Sequence, residues 1–311
     1  MFSKAAKVWV ITDGKIGDDV QCLAIAQALD PAFEKRVVSP RAMWAMAAPW
    51  GPIDPKDAAT TTADQAVPDI VVASGRRAIP YGRAIKKRYD AKLVILKDPR
   101  FGRGYADFIW APIHDKLDGV NVFSTMTSPH GLRLKLDQAR AGREGMIAEL
   151  PKPLLGVVLG GPSGGAVYDT QTADDLIERL STARKDFASM AITPSRRTPQ
   201  DFLERIRTAL ADEVSFVWDQ QGHNPYVDIL AHADALVVAG DSHNMTSEAL
   251  ASGVGVYVWK PKGLSGKLHW FIEQMQLKHT LRVFADKADP FETTQIDATA
   301  DIVAEINRRF N

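Results

Sequence analysis

The chain lacks three features, each of which points to a particular class of protein. Its single cysteine, Cys22, excludes an intramolecular disulfide framework and a zinc site built from several cysteines. Its 38 Lys and Arg residues equal its 38 Asp and Glu residues, and this balance argues against a nucleic acid partner held by bulk charge. No apolar run approaches the ~18 residues of a transmembrane helix, and the first residues do not form a signal peptide. We therefore expect a cytoplasmic protein, with any membrane contact being peripheral and at the inner membrane.

Short apolar strands alternate with longer amphipathic segments, a pattern that predicts parallel α/β sheets. Strands are predicted at 7–12, 36–39, 70–74, 92–96, 108–111, 154–159, 188–193, 214–218, 235–239 and 254–258. Helices are predicted at 18–29, 76–89, 132–150, 172–185, 199–211, 243–252, 264–276 and 298–310. Residues 47–65 are predicted to form an irregular loop. Pro151 and Pro153 end the helix predicted before them, so we place a domain boundary near residue 150. The prediction is two doubly wound α/β domains, residues 1–150 and 151–311.

The turn after the first strand is rich in glycine and charge. Asp13, Gly14, Lys15 and Gly17 lie between a strand and a helix, where backbone N–H groups and the helix dipole suit an anion or a sugar hydroxyl. The string matches neither the dinucleotide fingerprint nor the phosphate-binding loop. The alternative is a tight turn that needs glycine for its conformation alone.

Two further loops follow strands of the second half. Residues 160–165 contain four glycines, more than a turn needs, and glycine lets a ligand approach the backbone. Ser195, Arg196 and Arg197 follow the next strand, and arginine pairs well with phosphate oxygens. A solvated basic turn is the alternative for the arginines.

The most specific motif covers residues 239–249. Asp241, Ser242 and Asn244 are good helix N-caps, so the amides of the first turn would face a phosphate. Glu248 lies one to two turns into that helix, where its carboxylate would accept two hydrogen bonds from a ribose diol. A capped helix with a solvent-facing glutamate is the alternative.

Two segments concern partners. Ten Lys or Arg residues and only two acidic residues lie between Arg76 and Arg103, a charge that suits anionic lipid or a phosphorylated acceptor, or else a solvated helix face. Residues 43–50 carry two Trp and two Met. We expect this segment to be core, and if exposed it suits a bilayer interface.

These motifs together resemble the bacterial branch of the mitochondrial-fission, or elongated-mitochondria, family. The resemblance rests on Thr12-Asp13-Gly14-Lys15-x-Gly17-x-x-x-Gln21, Gly160-Gly161-Pro162-Ser163, Ser195-Arg196-Arg197-Thr198, Asn224-Pro225-Tyr226, Asp241-Ser242-x-Asn244-Met245-x-Ser247-Glu248-Ala249 and Gly253-Val254-Gly255-Val256. It implies a GT-B fold, in which two Rossmann-like domains face each other, as in the peptidoglycan N-acetylglucosamine transferase. The first domain would hold the acceptor and the second a nucleotide-diphosphate sugar, with the last helix packing back on the first domain.

The resemblance also implies roles for individual residues. Glu248 would bind ribose, and Arg196 or Arg197 would neutralise the departing diphosphate, so that no metal or cofactor is required. The residues implied to bind substrate are Gly14, Lys15, Gly17, Gly160, Gly161, Ser163, Ser195, Arg196, Arg197, Asp241, Ser242, Asn244, Met245, Thr246, Ser247 and Glu248.

The sequence departs from the glycosyltransferase pattern at the position of the catalytic base. The peptidoglycan enzyme has a histidine where this chain has Asp18, which leaves Asp13, Asp18 and His114 as candidates. The function implied is metal-independent glycosyl transfer to a cell-envelope lipid or lipopolysaccharide. The alternatives are a nucleotide-sugar epimerase on the same fold and a non-catalytic membrane-fission adaptor.

Overall fold

The computed structural model describes residues 6–63, 66–142, 145–210, 215–264 and 266–310. The chain divides into two compact units. Unit 1 comprises Met1–Gly131 and Asp297–Asn311, and unit 2 comprises Leu132–Ile296. No helix within the described ranges is both long enough and apolar enough to span a membrane.

The strands and helices alternate along the described chain. The strands are β1 Val8–Thr12, β2 Glu34–Val37, β3 Ile70–Ser74, β4 Lys92–Leu96, β5 Phe108–Pro112, β6 Val122–Thr125, β7 Leu154–Leu159, β8 Ser189–Pro194, β9 Ser215–Val217, β10 Ala235–Ala239, β11 Gly255–Trp259 and β12 Arg282–Val283. The α-helices are α1 Ile16–Leu29, α2 Ala42–Ala47, α3 Ile79–Tyr89, α4 Arg133–Ala141, α5 Thr170–Ala183, α6 Gln200–Leu210, α7 Tyr226–His232, α8 His243–Leu250, α9 Gly266–Leu277 and α10 Ala298–Phe310.

Each unit is built on one six-stranded parallel sheet. The strand order is β2-β1-β3-β4-β5-β6 in unit 1 and β12-β11-β10-β7-β8-β9 in unit 2. All described pairs of neighbouring strands are parallel. The loops that follow the strands therefore meet at the carboxyl edge of each sheet, where parallel α/β sheets bind ligands. The predicted fold class, two parallel α/β sheets with interleaved helices, is confirmed.

Helices cover both faces of the unit 1 sheet, which explains why its central strands are apolar throughout. Trp9 and Ile11 of β1 point to the face that α3 covers, whereas Val8 and Val10 point to the face that α1 and α10 cover. The last helix, α10, thus completes the core of the unit that contains the first strand. Its Ile306 is fully buried.

The core of unit 2 follows the same logic. Leu155 and Val157 of β7 pack with Leu176 of α5 and Ile206 of α6. Gly156, between those two strand residues, has Leu236 so close that an added Cβ would lie 2.7 Å from it. A side chain at this position would overpack the face of the sheet.

The unit boundary differs from the one predicted near residue 150. Unit 2 begins at Leu132, because α4 packs against α7 and Arg140 of α4 donates hydrogen bonds to the carbonyls of Ala231 (3.2 Å) and Ser252 (2.6 Å). The helix predicted over 132–150 ends at Ala141, and Gly142 follows it in a non-helical conformation. Residues 143–144 of that prediction lie outside the described residues.

Several short elements were not predicted. These are α2, β6, α7, β12 and a 3₁₀ helix, Pro55–Thr61, within the predicted loop. The expectation that residues 43–50 form core is wrong for Met43, Met46 and Trp50, which are 63%, 73% and 42% exposed. The short helix α2 buries only Ala45 among its residues, so the larger side chains around it face solvent.

The packing of α10 leads to a prediction on stability. We expect Ile306→Ala to lower the free energy of unfolding by about 2–5 kcal/mol, because it leaves a cavity in the unit 1 core. Asn307→Ala, at an exposed position one residue further on, serves as the control and should change it by less than about 0.5 kcal/mol. Denaturant unfolding measures both, and equal effects would contradict this role of α10.

Candidate functional site

Three loops that carry predicted site residues meet at the carboxyl edge of the unit 2 sheet. They follow β7, β8 and β10, which are neighbours in the order β10-β7-β8. A buried carboxylate, Asp241, joins them. Its Oδ2 accepts hydrogen bonds from the Gly161 amide (3.1 Å) and from Nη2 of Arg197 (3.0 Å). Its Oδ1 accepts a hydrogen bond from the Tyr168 hydroxyl (2.5 Å).

The electrostatics of Asp241 follow from its burial. Its side chain is fully buried, and this burial raises its pKa above the ordinary value, although the Tyr168 and Gly161 hydrogen bonds and the Arg197 charge oppose the shift. Burial, reinforced by the Asp241 charge, raises the pKa of Tyr168 as well. Both carboxylate oxygens thus bind the protein itself, so the described contacts give Asp241 a positioning role.

The glycines of the loop after β7 are explained by this close packing. A Cβ added to Gly160 would lie 1.8 Å from Oδ1 of Asp241, and one added to Gly161 would lie 2.2 Å from the Arg197 carbonyl oxygen. The glycine pattern predicts that a ligand approaches the backbone here. In the structure the groups that approach these two glycines are the chain's own. Ser163 is half-buried, and its carbonyl accepts a hydrogen bond from the Ala166 amide.

The loop after β8 positions one of its two arginines. The Ser195 hydroxyl accepts a hydrogen bond from the Arg197 amide (3.2 Å), and the Arg197 guanidinium is fixed on Asp241 while 44% of the side chain stays exposed. Arg196 is exposed, and within the described ranges its side chain makes no hydrogen bond or ion pair. Arg197 is therefore the cation whose position the fold determines.

The helix after β10 begins with the predicted cap. The Ser242 hydroxyl accepts a hydrogen bond from the Met245 amide (3.3 Å). Thr246 and Ser247 are buried, and their hydroxyls donate to the carbonyls of Ser242 (3.1 Å) and His243 (2.8 Å) one turn back. These two hydroxyls support the helix, while Asn244 and Met245 in the first turn are half-buried.

Glu248 lies further along the same helix and has a partner that the sequence did not predict. Its carboxylate accepts a hydrogen bond from the Tyr226 hydroxyl. Burial raises the pKa of Glu248, and the Tyr226 hydrogen bond and the Lys135 charge oppose that rise. The pKa of Tyr226 is raised well above its usual range by burial and by the Glu248 charge. The only sequence signal for Tyr226 was the Asn224-Pro225-Tyr226 string.

A cavity of about 780 Å³ borders the loop after β9 in the same unit. Among the residues that line it are Trp218, Asp219, Gln221, His223 and Pro225. Pro225 precedes Tyr226, the partner of Glu248. The volume lies in the range of small-molecule sites.

The first catalytic candidate, Asp13, lies in the turn after β1 in unit 1. Its side chain is only 2% exposed, and among the described residues no group donates a hydrogen bond to either carboxylate oxygen. Nζ of Lys15 lies 3.2 Å from its Oδ2. Gly14 beside it has φ +80°, a conformation that favours glycine. A buried carboxylate without donors is unusual and points to a functional role.

Asp18, the second candidate, lies in the first turn of α1. It accepts hydrogen bonds from Nζ of Lys97 (2.6 Å) and from the Ser74 hydroxyl (3.1 Å). A Cβ added to Gly75 would lie 3.2 Å from Oδ2 of Asp18 and 3.7 Å from Oδ1 of Asp13, so both carboxylates border the same glycine.

The acidic first turn of α1 bears on what its N-terminus binds. Asp18 and Asp19 both lie in this turn, and Gly17 before them is exposed. Their carboxylates already satisfy the positive end of the helix dipole. The turn therefore suits a sugar hydroxyl better than a phosphate.

His114, the third candidate, is separated from the other two. It follows β5, and β3 and β4 lie between β5 and β1 in the sheet. Three strand spacings correspond to about 14 Å. The structure thus groups Asp13 with Asp18 and leaves His114 apart. No set of three or more His, Cys, Asp or Glu side chains in the described part of the chain is arranged to hold a metal ion.

Comparison with known proteins decides the family. The family model described as mitochondrial fission ELM1 matches residues 16–310. The chain belongs to the mitochondrial fission ELM1 family. It is 26% identical over 271 residues to the mitochondrial fission protein ELM1 of Arabidopsis thaliana, and the match covers 78% of this chain and 64% of the plant protein. It is 24% identical to the uncharacterized protein RP120 of Rickettsia prowazekii, with 92% of each chain covered.

Solved structures share the fold of this ELM1-family chain. MurG of Acinetobacter baumannii matches with a TM-score of 0.50 and 14% identity, over 98% of this chain and 91% of MurG. The UDP-GlcNAc 2-epimerase of Neisseria meningitidis, solved bound to UDP-GlcNAc, matches with a TM-score of 0.53 and 10% identity, over 97% and 91% of the two chains. These likenesses establish the GT-B fold of this chain.

The packing around Gly161 leads to a second prediction. We expect Gly161→Ala to lower the free energy of unfolding by about 1–3 kcal/mol or more, because the new methyl group would overlap the Arg197 carbonyl. Gly104→Ala is the control, since a Cβ there meets no atom within 4 Å. Denaturant unfolding of both variants tests this, and a Gly161→Ala protein as stable as the control would contradict the packing described.

Proposed function

We propose that this ELM1-family protein transfers a glycosyl group from a nucleotide-diphosphate sugar without a metal. The observation that carries the proposal is the Arg197 guanidinium at the carboxyl edge of the unit 2 sheet. It is fixed by the buried Asp241, which immediately precedes the Ser242 cap of α8. In such a transfer, negative charge grows on the departing diphosphate. A preorganised cation and helix amides stabilise that charge without having to reorganise.

The diphosphate is proposed to lie at the start of α8. The amides of Asn244 and Met245 and the positive end of the helix dipole would face its oxygens. Arg197 would supply the fixed charge, and the exposed Arg196 a second cation from the same loop. Ser195 and the loop of Gly160, Gly161 and Ser163 support this arrangement.

Glu248 is the proposed ribose ligand. It has one carboxylate oxygen on the Tyr226 hydroxyl and is held in place by that bond. Once ionised, it can accept hydrogen bonds from a ribose diol. The UDP-GlcNAc bound by the Neisseria meningitidis epimerase supports uridine as the nucleoside to test first. The cavity beside Trp218 and Pro225, whose volume lies in the range of small-molecule sites, is the proposed place of the nucleobase.

Unit 1 is proposed to supply the general base. Asp13 is the leading candidate, because its buried carboxylate has no described hydrogen-bond donor and can accept the proton of an acceptor hydroxyl. Asp18 already accepts hydrogen bonds from Lys97 and Ser74, which suits a positioning group. The proposed acceptor is a cell-envelope lipid or lipopolysaccharide.

The second candidate function is a nucleotide-sugar epimerase. One observation favours it: Asp13 and Asp18 both border Gly75, and a pair of carboxylates can act as acid and base on one sugar. Incubation of the protein with UDP-GlcNAc and no acceptor, followed by proton NMR of the product, separates the two. A new epimer would favour the epimerase, and an unchanged sugar would contradict it.

The experiment that tests the proposed function is a thermal-shift panel of nucleoside diphosphates and their sugars, with and without magnesium. We expect UDP to raise the melting temperature with or without magnesium, and Glu248→Gln to reduce the shift. Glu178→Gln, exposed on α5, is the matched control and should keep it. No shift with any nucleotide would contradict the proposal and favour the adaptor alternative.

The raised pKa of Glu248 adds a dependence on pH. Ribose binding needs the carboxylate, and burial raises the pKa at which that carboxylate takes up a proton. UDP affinity should therefore fall as the pH is lowered through this raised pKa, at a higher pH than an ordinary glutamate would give. Titration calorimetry at a series of pH values measures this. If the UDP affinity of Glu248→Gln fell at low pH in the same way as that of the wild-type protein, the titration would belong to another group.

A further inference from the structure

Besides the cavity of unit 2 described above, unit 1 has a cavity of about 650 Å³ at the carboxyl edge of its own sheet. It lies beyond the ends of β1, β3 and β4, beside the turn that carries Asp18. The residues that give it its chemistry are four cations, two carboxylates and two aromatic side chains: Lys15, Arg76, Lys97, Arg100, Asp18, Asp98, Trp50 and Phe101. Part of the cationic stretch between Arg76 and Arg103 is thus concentrated at one cavity.

The charges of this cavity do not cancel. Asp18 is bonded to Lys97, and Asp98 forms an ion pair with Arg103 (2.9 Å), which is not among the lining residues. Arg76 donates to the Ala45 carbonyl (2.6 Å), and in the described parts of the chain no carboxylate lies within ion-pair distance of Arg76 or Arg100. Lys15 is paired with Asp13 (3.2 Å) and the Arg100 charge acts on Asp98, but the four lining cations still outnumber the two lining carboxylates. This excess of positive charge suits an anion.

The backbone conformation of the loop after β4 also supports an anion-binding role for this cavity. Lys97 and Arg100 have φ values of +72° and +64°, in the left-handed region of backbone conformation that residues other than glycine rarely adopt. Such strain tends to occur where the position of a side chain matters for function. Two of the four cations of the cavity have this conformation.

One wall of the cavity is aromatic and open to solvent. Trp50 is 42% and Phe101 66% exposed, and their rings meet edge to face with centroids 5.7 Å apart. Exposed aromatic rings beside cations are typical of sites that bind the boundary between a charged head group and an acyl chain. A free inorganic anion would not need this wall.

We propose that the cavity binds the phosphate head group of an anionic amphiphile, with the phosphate on Arg76 and Arg100 and the first part of the apolar chain against Trp50 and Phe101. As an assignment of the acceptor class, this rests on the proposed function. As a binding site, it stands on the residues of unit 1 alone.

The test uses the full-length protein and dioctanoyl phosphatidic acid below its micelle concentration, with binding measured by titration calorimetry. Dioctanoyl phosphatidylcholine and inorganic phosphate are the comparison ligands. We expect Arg100→Gln to weaken phosphatidic acid binding about tenfold or more, because a charge-assisted hydrogen bond is lost. Arg77→Gln, exposed and outside the lining, is the matched control and should leave it unchanged.

The second variant, Trp50→Ala, separates an amphiphile from a free phosphate. It should weaken phosphatidic acid and leave the weaker binding of inorganic phosphate unchanged. Equal binding of inorganic phosphate and phosphatidic acid, with no effect of Trp50→Ala, would overturn the amphiphile and assign free phosphate. Equal affinity for phosphatidylcholine, or an unaffected Arg100→Gln, would overturn the site. All variants should keep the wild-type melting temperature, which excludes misfolding as the cause.

The same variants keep the two proposals apart. Arg100→Gln should retain the full thermal shift with UDP, because the nucleotide residues lie in unit 2. Phosphatidic acid binding without any UDP shift would contradict the proposed function alone. A UDP shift without phosphatidic acid binding would contradict this inference alone.

Discussion

The arrangement of the unit 2 site depends on one buried carboxylate. Asp241 has no exposed side-chain surface, and an unpaired charge in such a place is strongly destabilising. Its donors come from the loop after β7, from Tyr168 and from the loop after β8. Satisfying this one charge therefore fixes three segments at the edge of the sheet, with a guanidinium left partly exposed beside them.

The carboxylates at the carboxyl edge of the unit 1 sheet have fewer hydrogen-bond donors than Asp241. Asp13 is buried but has no hydrogen-bond donor among the described groups, and Asp18 is half satisfied by Lys97 and Ser74. The Lys15 ammonium lies 3.2 Å from Oδ2 of Asp13, so the charge has a partner while the hydrogen-bonding capacity of the carboxylate is unused, and a bound hydroxyl can supply the missing donor. In the proposed function the two units divide the chemistry, with a fixed cation in unit 2 and a proton acceptor in unit 1.

The sequence predicts the sheets well, because the central strands of a parallel sheet are buried on both faces and are apolar throughout, as in β3, β7 and β10. It misses α7 and β6, which are short and have no clear periodicity. Glycine and cap residues mark the site motifs in the sequence, but the structural reason for these residues is not always the one that the sequence suggests. The need for glycine at Gly160 comes from Asp241, a contact across 81 residues of chain that no local pattern contains.

Titration calorimetry of UDP and of uridine with the wild-type protein, Arg197→Gln and Arg196→Gln tests whether the fixed guanidinium of unit 2 binds a diphosphate. We expect Arg197→Gln to weaken UDP binding about tenfold or more and to leave uridine binding unchanged, because the proposed ligand contact of the guanidinium is with the diphosphate alone. Arg196→Gln should have the smaller effect. Equal weakening of UDP and uridine by Arg197→Gln, or a larger loss of UDP binding in Arg196→Gln, would contradict this role of the Arg197 guanidinium.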